Sequence, residues 1–341
     1  MQYLEDLKLD LTIVIPTFNR DDLLIECLKS AINQKSNFSY QIIIVDDNPQ
    51  GVLNETLSKI ISEAPSRINI RFFKNEKNLG VYGNWNRCLQ LATTSYVTIL
   101  NDDDLLKENF LSQISQFLGK YDLVAIDADY INQPIKSFWF PLNWLRKLWH
   151  LLVYLKNCVQ SVQFVKAHNI CRGHPYVASL GVVFLREKAL ALGGFNAELY
   201  PSADYDFFLR YWMVGTCIKL RKPLAYYRWG VNVSLREETL EAWLATDRFI
   251  KLNFAREISS GRILRLINKL IDFQANVNAR RYSLLNGSFN PKKALQDHQI
   301  PLKMLSRSHF FANFSSVLWP LLINNLTILP AARRKRQNLL S

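Results

Sequence analysis

Cysteine is scarce in this chain and follows no pattern. The five that occur, Cys27, Cys88, Cys158, Cys171 and Cys217, lack the short spacings of a metal site. An odd, dispersed set argues against a disulfide framework and fits reduced thiols in the cytosol. The chain also lacks a basic opening followed by a long apolar run. Met1 to Asp10 alternates acids and leucines, so no signal peptide is expected. No internal repeat or low-complexity segment is visible. Acidic residues are in deficit, 29 against 42 Lys and Arg, for a net charge of +13. That charge calls for an acidic partner. No nucleic-acid module occurs, and the basic residues are not interleaved with aromatics across a sheet, so no nucleic-acid partner is expected. A membrane surface or a diphosphate-bearing substrate fits better. With 341 residues, 49% apolar, the chain can bury one large domain and still carry an appendage.

Against this background one stretch stands out: Tyr96-Val-Thr-Ile-Leu-Asn-Asp-Asp-Asp-Leu-Leu106. The apolar run Val97 to Leu100 reads as a buried strand, and it ends in three carboxylates, Asp102, Asp103 and Asp104. Adjacent acids repel one another unless a cation sits between them. Hard oxygen donors suit Mg²⁺ or Mn²⁺ carrying a diphosphate. A solvated turn with an acidic helix cap fits these residues alone equally well. Gln41-Ile-Ile-Ile-Val-Asp-Asp-Asn-Pro49 repeats the pattern with Asp46 and Asp47, and Leu11-Thr-Ile-Val-Ile-Pro-Thr-Phe-Asn-Arg20 is a third strand, broken by Pro16. Between the first two strands, Leu24, Leu28, Ala31 and Ile32 fall at helical spacing. Strand, helix, strand at short period implies a parallel βαβ unit, which puts both acidic pairs on one sheet edge, where a nucleotide would bind. Strands are expected near 11–15, 41–45, 68–73, 96–100 and 121–130, and helices near 21–34, 53–63, 81–92, 237–258 and 262–281.

Val14-Ile-Pro-Thr-Phe-Asn-Arg20, Ile43-Ile-Val-Asp-Asp-Asn48, Asn78-Leu-Gly80 and Leu100-Asn-Asp-Asp-Asp104 resemble, in order and spacing, the successive motifs of family 2 glycosyltransferases. Gly193-Gly-Phe-Asn196, Ala203-Asp-Tyr-Asp-Phe-Phe-Leu-Arg210 and Tyr226-Tyr-Arg228 resemble that family's acceptor-side motifs. The resemblance covers roughly residues 9 to 235. It implies an α/β GT-A fold, a Rossmann-like nucleotide-binding mixed sheet flanked by helices, over 9–235. A helical, membrane-associating region would follow over 236–341. It also implies inverting transfer of a sugar from a UDP- or dTDP-type donor to a hydroxyl of a glycan acceptor, with a divalent metal, Mn²⁺ or Mg²⁺, as cofactor.

Residue by residue, the resemblance assigns Asp103 to the metal and Asp102 to the donor ribose, the sugar or the metal's shell. The family's first metal-motif acid is Asn101 here. Asp47 matches the residue that accepts from the ring N–H of the base. Thr17 and Pro16 would shape that pocket, with Asn78 and Gly80 beside base and ribose. Asp46 is expected to be structural, and Asp104 to cap the next helix. Trp85 stands where relatives carry an arginine, to stack or to pack. Asp204 matches the catalytic base, at a helix N-terminus that favours the negative charge a base needs. Ala203 precedes it where relatives carry Glu, and Asp206 is expected to be exposed. His174 and Arg228 are weaker candidates for acceptor or phosphate, and Trp229 replaces a histidine the family often has.

Two further segments bear on location. Residues 138–157 form a basic, Trp-rich amphipathic stretch, suited to a membrane interface, to packing on the sheet or to an oligomer contact. Residues 310–332 are apolar but interrupted by Asn and Pro, and Arg333-Arg-Lys-Arg336 follows, a cluster that attracts anionic lipid. Together they predict a cytoplasmic protein at the inner face of the cell membrane with a lipid-linked acceptor. Two alternatives remain. A sugar nucleotidyltransferase would need a glycine-rich phosphate loop, which Pro16-Thr-Phe-Asn-Arg20 does not supply. A non-catalytic nucleotide-sugar-binding protein draws some support from Asn101.

Overall fold

The β-branched runs of the first hundred residues become β1 (Leu11–Thr17), β2 (Tyr40–Asp46) and β4 (Tyr96–Ile99), each buried along its whole length. Strands covered on both faces belong inside a parallel sheet. The computed structural model, which describes residues 11–132, 162–165, 176, 179–229 and 236–302, places them there. β1 pairs in parallel with β2 and β4, and β2 with the less buried β3 (Asn69–Lys74). The remaining strands are β5 (Leu105–Leu106), β6 (Leu123–Ile131), β7 (Val162–Phe164), β8 (Val183–Leu185) and β9 (Cys217–Arg228). The sheet order is β3-β2-β1-β4-β8-β6-β9-β5, with β7 against β9. β8 runs antiparallel to β4 and β6, and β5 and β7 run antiparallel to β9. The result is an α/β mixed sheet with a parallel half. Because β2 and β4 both run parallel to β1, their acidic ends share one edge.

Helix α1 (Asp21–Ile32) turns Leu24, Cys27, Leu28, Ala31 and Ile32 inward, onto a core that includes Ile13, Ile15, Ile42 and Ile44. Asp21 and Asp22 lie in the first turn and Lys29 in the last, the order a helix dipole favours. Helix α2 (Glu55–Ser62) starts at Asn54, whose side chain accepts from the Thr56 N–H at 2.8 Å. Helices α3 (Gly80–Leu91), α4 (Phe110–Ile114) and α5 (Arg186–Ala191) complete this part. Pro16 does not break β1, contrary to expectation. The last bond to β4 is Leu100 N–H to the Val14 carbonyl, and residues alternate sides, so the proline's missing N–H falls just beyond that ladder.

The described residues form two units, 11–132, 162–165, 176, 179–194 and 215–229 in the first, and 195–214 and 236–302 in the second. The second unit contains α6 (Ala203–Val214), α7 (Glu237–Ile258), α8 (Gly261–Leu285) and α9 (Pro291–Asp297). Leu240, Leu244, Ala275, Ala279, Phe289 and Leu295 pack one cluster there. Phe195 lies 4.2 Å from Phe207 between ring centroids, and Trp212 of α6 meets Phe254 of α7 at 6.2 Å. Helix α6 therefore packs with C-terminal helices that follow it in sequence. The boundary expected at 235 lies outside the described residues, as do 138–157, His174 and 310–336. Among the described residues no helix is long and apolar enough to cross a membrane.

Candidate functional site

The acidic segment follows β4 directly and is held by side chains from two other places in the chain. Thr17, the last residue of β1, donates its hydroxyl to Asp102 Oδ2 at 2.8 Å. Arg20 sits just past β1, after Asn19 at φ 55, a left-handed conformation that Asn tolerates. Its Nη1 donates to Asp102 Oδ1 at 3.3 Å and to Asp103 Oδ2 at 3.0 Å. Asp102, Asp103 and Asp104 are all buried, at 6%, 8% and 1% exposure. Burial pushes the Asp102 carboxyl up to about 6, against the Arg20 guanidinium and the Thr17 hydroxyl. Burial also raises Asp103, again against Arg20. Asp104 is pushed up to about 8 by burial and then by the Asp103 charge.

Asp104 does not cap a helix, which corrects the expectation from sequence. The chain instead enters β5, which pairs Leu105 with Tyr226 and Leu106 with Ala225 of β9. Extending that antiparallel register brings Arg228 opposite Asp103. The Arg228 N–H donates to Asp104 Oδ1 at 3.0 Å and its Nε to the Asp103 carbonyl at 2.9 Å. Its Nη2 pairs with Glu26 of α1 at 2.6 Å. Arg228 thus clamps the backbone of the acidic segment. Arg20 is the cation on the two carboxylates.

Asp47 stands at the end of β2, 4% exposed. Its Oδ1 accepts from Asn75 Nδ2 and from the Leu79 N–H, both at 2.8 Å, and its Oδ2 from the Gly80 N–H at 2.9 Å. Asp47 therefore closes the N-terminus of α3, and Oδ2 keeps a lone pair for one more donor. Asn78 also accepts from the Gly80 N–H, at 2.9 Å. Gly80 has φ +72 and open space where a side chain would begin, so the backbone conformation, not crowding, demands glycine. Asp46 turns the chain through a bond from the Asn48 N–H at 2.9 Å, as a structural residue would. Trp85 is 6% exposed and lies edge-on to Tyr82 at 5.1 Å, so it packs.

In the second unit, Asp204 is the second residue of α6, half-buried, with Oδ1 accepting from the Tyr205 N–H at 2.8 Å. Tyr205, Phe208 and Leu209 are buried. Asp206 is half-buried, not exposed, because Arg210 one turn on holds its carboxylate at 2.7 Å.

Sequence reasoning missed Arg20 and Asn75. Arg20 was legible only as a cation shortly after a strand end. Asn75, 6% exposed, ties Asp47 to Asn84 Oδ1 at 2.9 Å, and nothing local marks it. Asn75→Ala leaves two buried acceptors short of a donor. It should cost about 1–3 kcal/mol, lowering the urea midpoint at constant slope, and an unchanged midpoint would remove this role.

The acidic pair fits a divalent cation. Two buried carboxylates, both driven toward protonation and offset by one guanidinium, form an oxygen donor set short of positive charge. Among the described residues no group of three or more His, Cys, Asp or Glu side chains forms a metal cage. A cation here would complete its shell with water and ligand phosphate oxygens, as Mg²⁺-type sites do.

A solved structure of S. aureus TarS 1-349 in complex with UDP-GlcNAc matches 97% of the chain and 89% of its own at TM-score 0.56 and 17% identity. A mannosyltransferase from Pyrobaculum calidifontis, solved with GDP-Man and Mn²⁺, matches 96% of the chain and 86% of its own at TM-score 0.52 and 16% identity. Among curated sequences, the GalNAc(5)-diNAcBac-PP-undecaprenol beta-1,3-glucosyltransferase of Campylobacter jejuni is 36% identical over 107 residues, 31% of the chain and 33% of that enzyme. Residues 12–177 match the family model described as glycosyl transferase family 2. Those residues take in the parallel strands and both acidic ends, and through them the chain belongs to glycosyl transferase family 2, on a GT-A fold.

Proposed function

We propose that the protein transfers a hexosyl or related sugar, with inversion, from a UDP- or dTDP-type donor to a hydroxyl of a lipid-linked glycan in surface polysaccharide synthesis. The observation that carries this is the convergence of Asp102 and Asp103 with Thr17 and Arg20, on the sheet edge that also bears Asp47. Asp47, with its remaining lone pair, accepts from the ring N–H of the base. Pro16 and Thr17 shape that pocket, and Asn78 and Gly80 line the ribose side. Asp103 is the protein ligand of a Mn²⁺ or Mg²⁺ ion, and Asp102 orients the donor. When bound, that ion supplies Lewis-acid stabilisation of the departing diphosphate. Asp204 takes the proton of the acceptor hydroxyl. The acceptor oxygen bonds to the anomeric carbon as the bond from that carbon to the diphosphate oxygen breaks. Arg228 and His174 are secondary contacts for phosphate or acceptor. The UDP-GlcNAc in TarS and the Mn²⁺ in the mannosyltransferase support the donor and metal class, and the undecaprenol-linked substrate named for the Campylobacter enzyme supports the acceptor class.

Release of UDP or dTDP from a panel of nucleotide sugars, with and without Mn²⁺, tests the function. Metal-dependent release is expected for one donor. A nucleotidyltransferase would release no nucleoside diphosphate and would convert the nucleotide sugar to nucleoside triphosphate and sugar 1-phosphate only when pyrophosphate is added, and a binding protein would release nothing in either case.

Membrane contact belongs to the same proposal, because one weak anchor gives only marginal binding and the sequence offers two, 138–157 and 310–336. Truncation after Ser308 should move protein from the membrane pellet to the supernatant. High salt should release part of the full chain by screening Arg333-Arg-Lys-Arg336. A full-length protein that ignores anionic vesicles would remove the main support for a lipid-linked acceptor.

A further inference from the structure

We infer that Arg20 is a displaceable cation, which occupies the acidic pair in the metal-free protein and passes to the donor diphosphate when the metal binds. This rests on the proposed metal site at Asp103. One nitrogen, Nη1, bonds to Asp102 Oδ1 and Asp103 Oδ2 together. Asp103 Oδ2 belongs to the carboxylate proposed to hold the ion. Among the described residues Nε and Nη2 have no hydrogen-bond partner, and the side chain is 31% exposed, so the guanidinium is not buried and is held there through Nη1. Arg228 cannot take this part, because its guanidinium is committed to Glu26 and the Asp103 carbonyl. Asp102 has a second fixed partner in Thr17, so the pair stays oriented when Arg20 leaves.

Two cations held at the Asp103 carboxylate repel each other. Metal entry therefore releases the guanidinium, and a diphosphate arriving with the metal offers it the planar, two-pronged acceptor for which arginine is suited. Arg20 thereby opposes metal alone and favours metal together with nucleotide, a coupling that prevents the site from filling with cation before the donor arrives.

The test is Mn²⁺ binding followed by the electron paramagnetic resonance of free Mn²⁺, on full-length protein, with and without UDP. Arg20→Gln should bind Mn²⁺ roughly tenfold more tightly without UDP, while the gain in Mn²⁺ affinity on adding UDP becomes smaller than in the parent protein. Arg20→Lys keeps the charge and should fall between the two. It also serves should the Gln variant not fold, because a structural role would weaken binding in both conditions. Equal or weaker Mn²⁺ binding by Arg20→Gln without UDP, alongside loss of binding in Asp103→Asn, overturns the inference and leaves the metal site standing. Unchanged binding in Asp103→Asn overturns the metal site itself, and the inference with it.

Discussion

Asp204→Asn should lose sugar transfer by a factor of about 10²–10⁴, the usual contribution of a general base, while nucleotide and metal binding remain as in the parent protein. Amide and carboxylate are nearly the same size, so the start of α6 should keep its conformation, including the bond from the Tyr205 N–H to Oδ1. What is removed is a group able to take a proton. The neighbouring acid is no ready substitute, because Asp206 is held by Arg210 at 2.7 Å. The measurement is a pair: turnover with the acceptor, and UDP affinity by calorimetry. A variant with near parental turnover eliminates Asp204 as the base and turns attention to Asp206 and His174.

Asp103→Ala should abolish metal-dependent donor binding and leave the fold intact. Asp103 is 8% exposed and its side-chain partner among the described residues is Arg20, so its removal relieves the crowding of charge that raises Asp104. Thermal unfolding of the metal-free variant should therefore occur no lower than that of the parent. Calorimetric titration with UDP in the presence and absence of Mn²⁺ decides the outcome. Nucleotide binding with the parental Mn²⁺ dependence would show that the ligand lies elsewhere.

The parallel half of the sheet was legible from residues alone. Runs such as Ile42 to Val45 have a composition suited only to burial on both faces, and the helix between β1 and β2 declares itself through apolar spacing. The same local patterns located the acidic ends, because a strand's end is where an apolar run stops. They also located α7, whose bounds of Glu237 and Ile258 are those expected. Nothing local marks β5, only two residues long, or its pairing with β9 some 120 positions later.

Partnerships of that length belong to the tertiary structure, and they set the character of the site. Sequence placed three carboxylates together and, by resemblance, gave one of them a metal. It set Asp104 apart only as a helix cap, and did not show it withdrawn onto the Arg228 N–H or Asp102 and Asp103 joined through Arg20. It identified Asp47 but not the amide of Asn75 and the two backbone N–H groups that hold it at the mouth of α3. The physical reason is the same in each case. Burial and periodicity are properties of neighbours in the chain, and composition records them. Which oxygen receives which donor depends on strand register and on where separate strands end, and these are decided only when segments distant in the chain meet, 28 residues apart for Asn75 and Asp47 and 83 for Arg20 and Asp103.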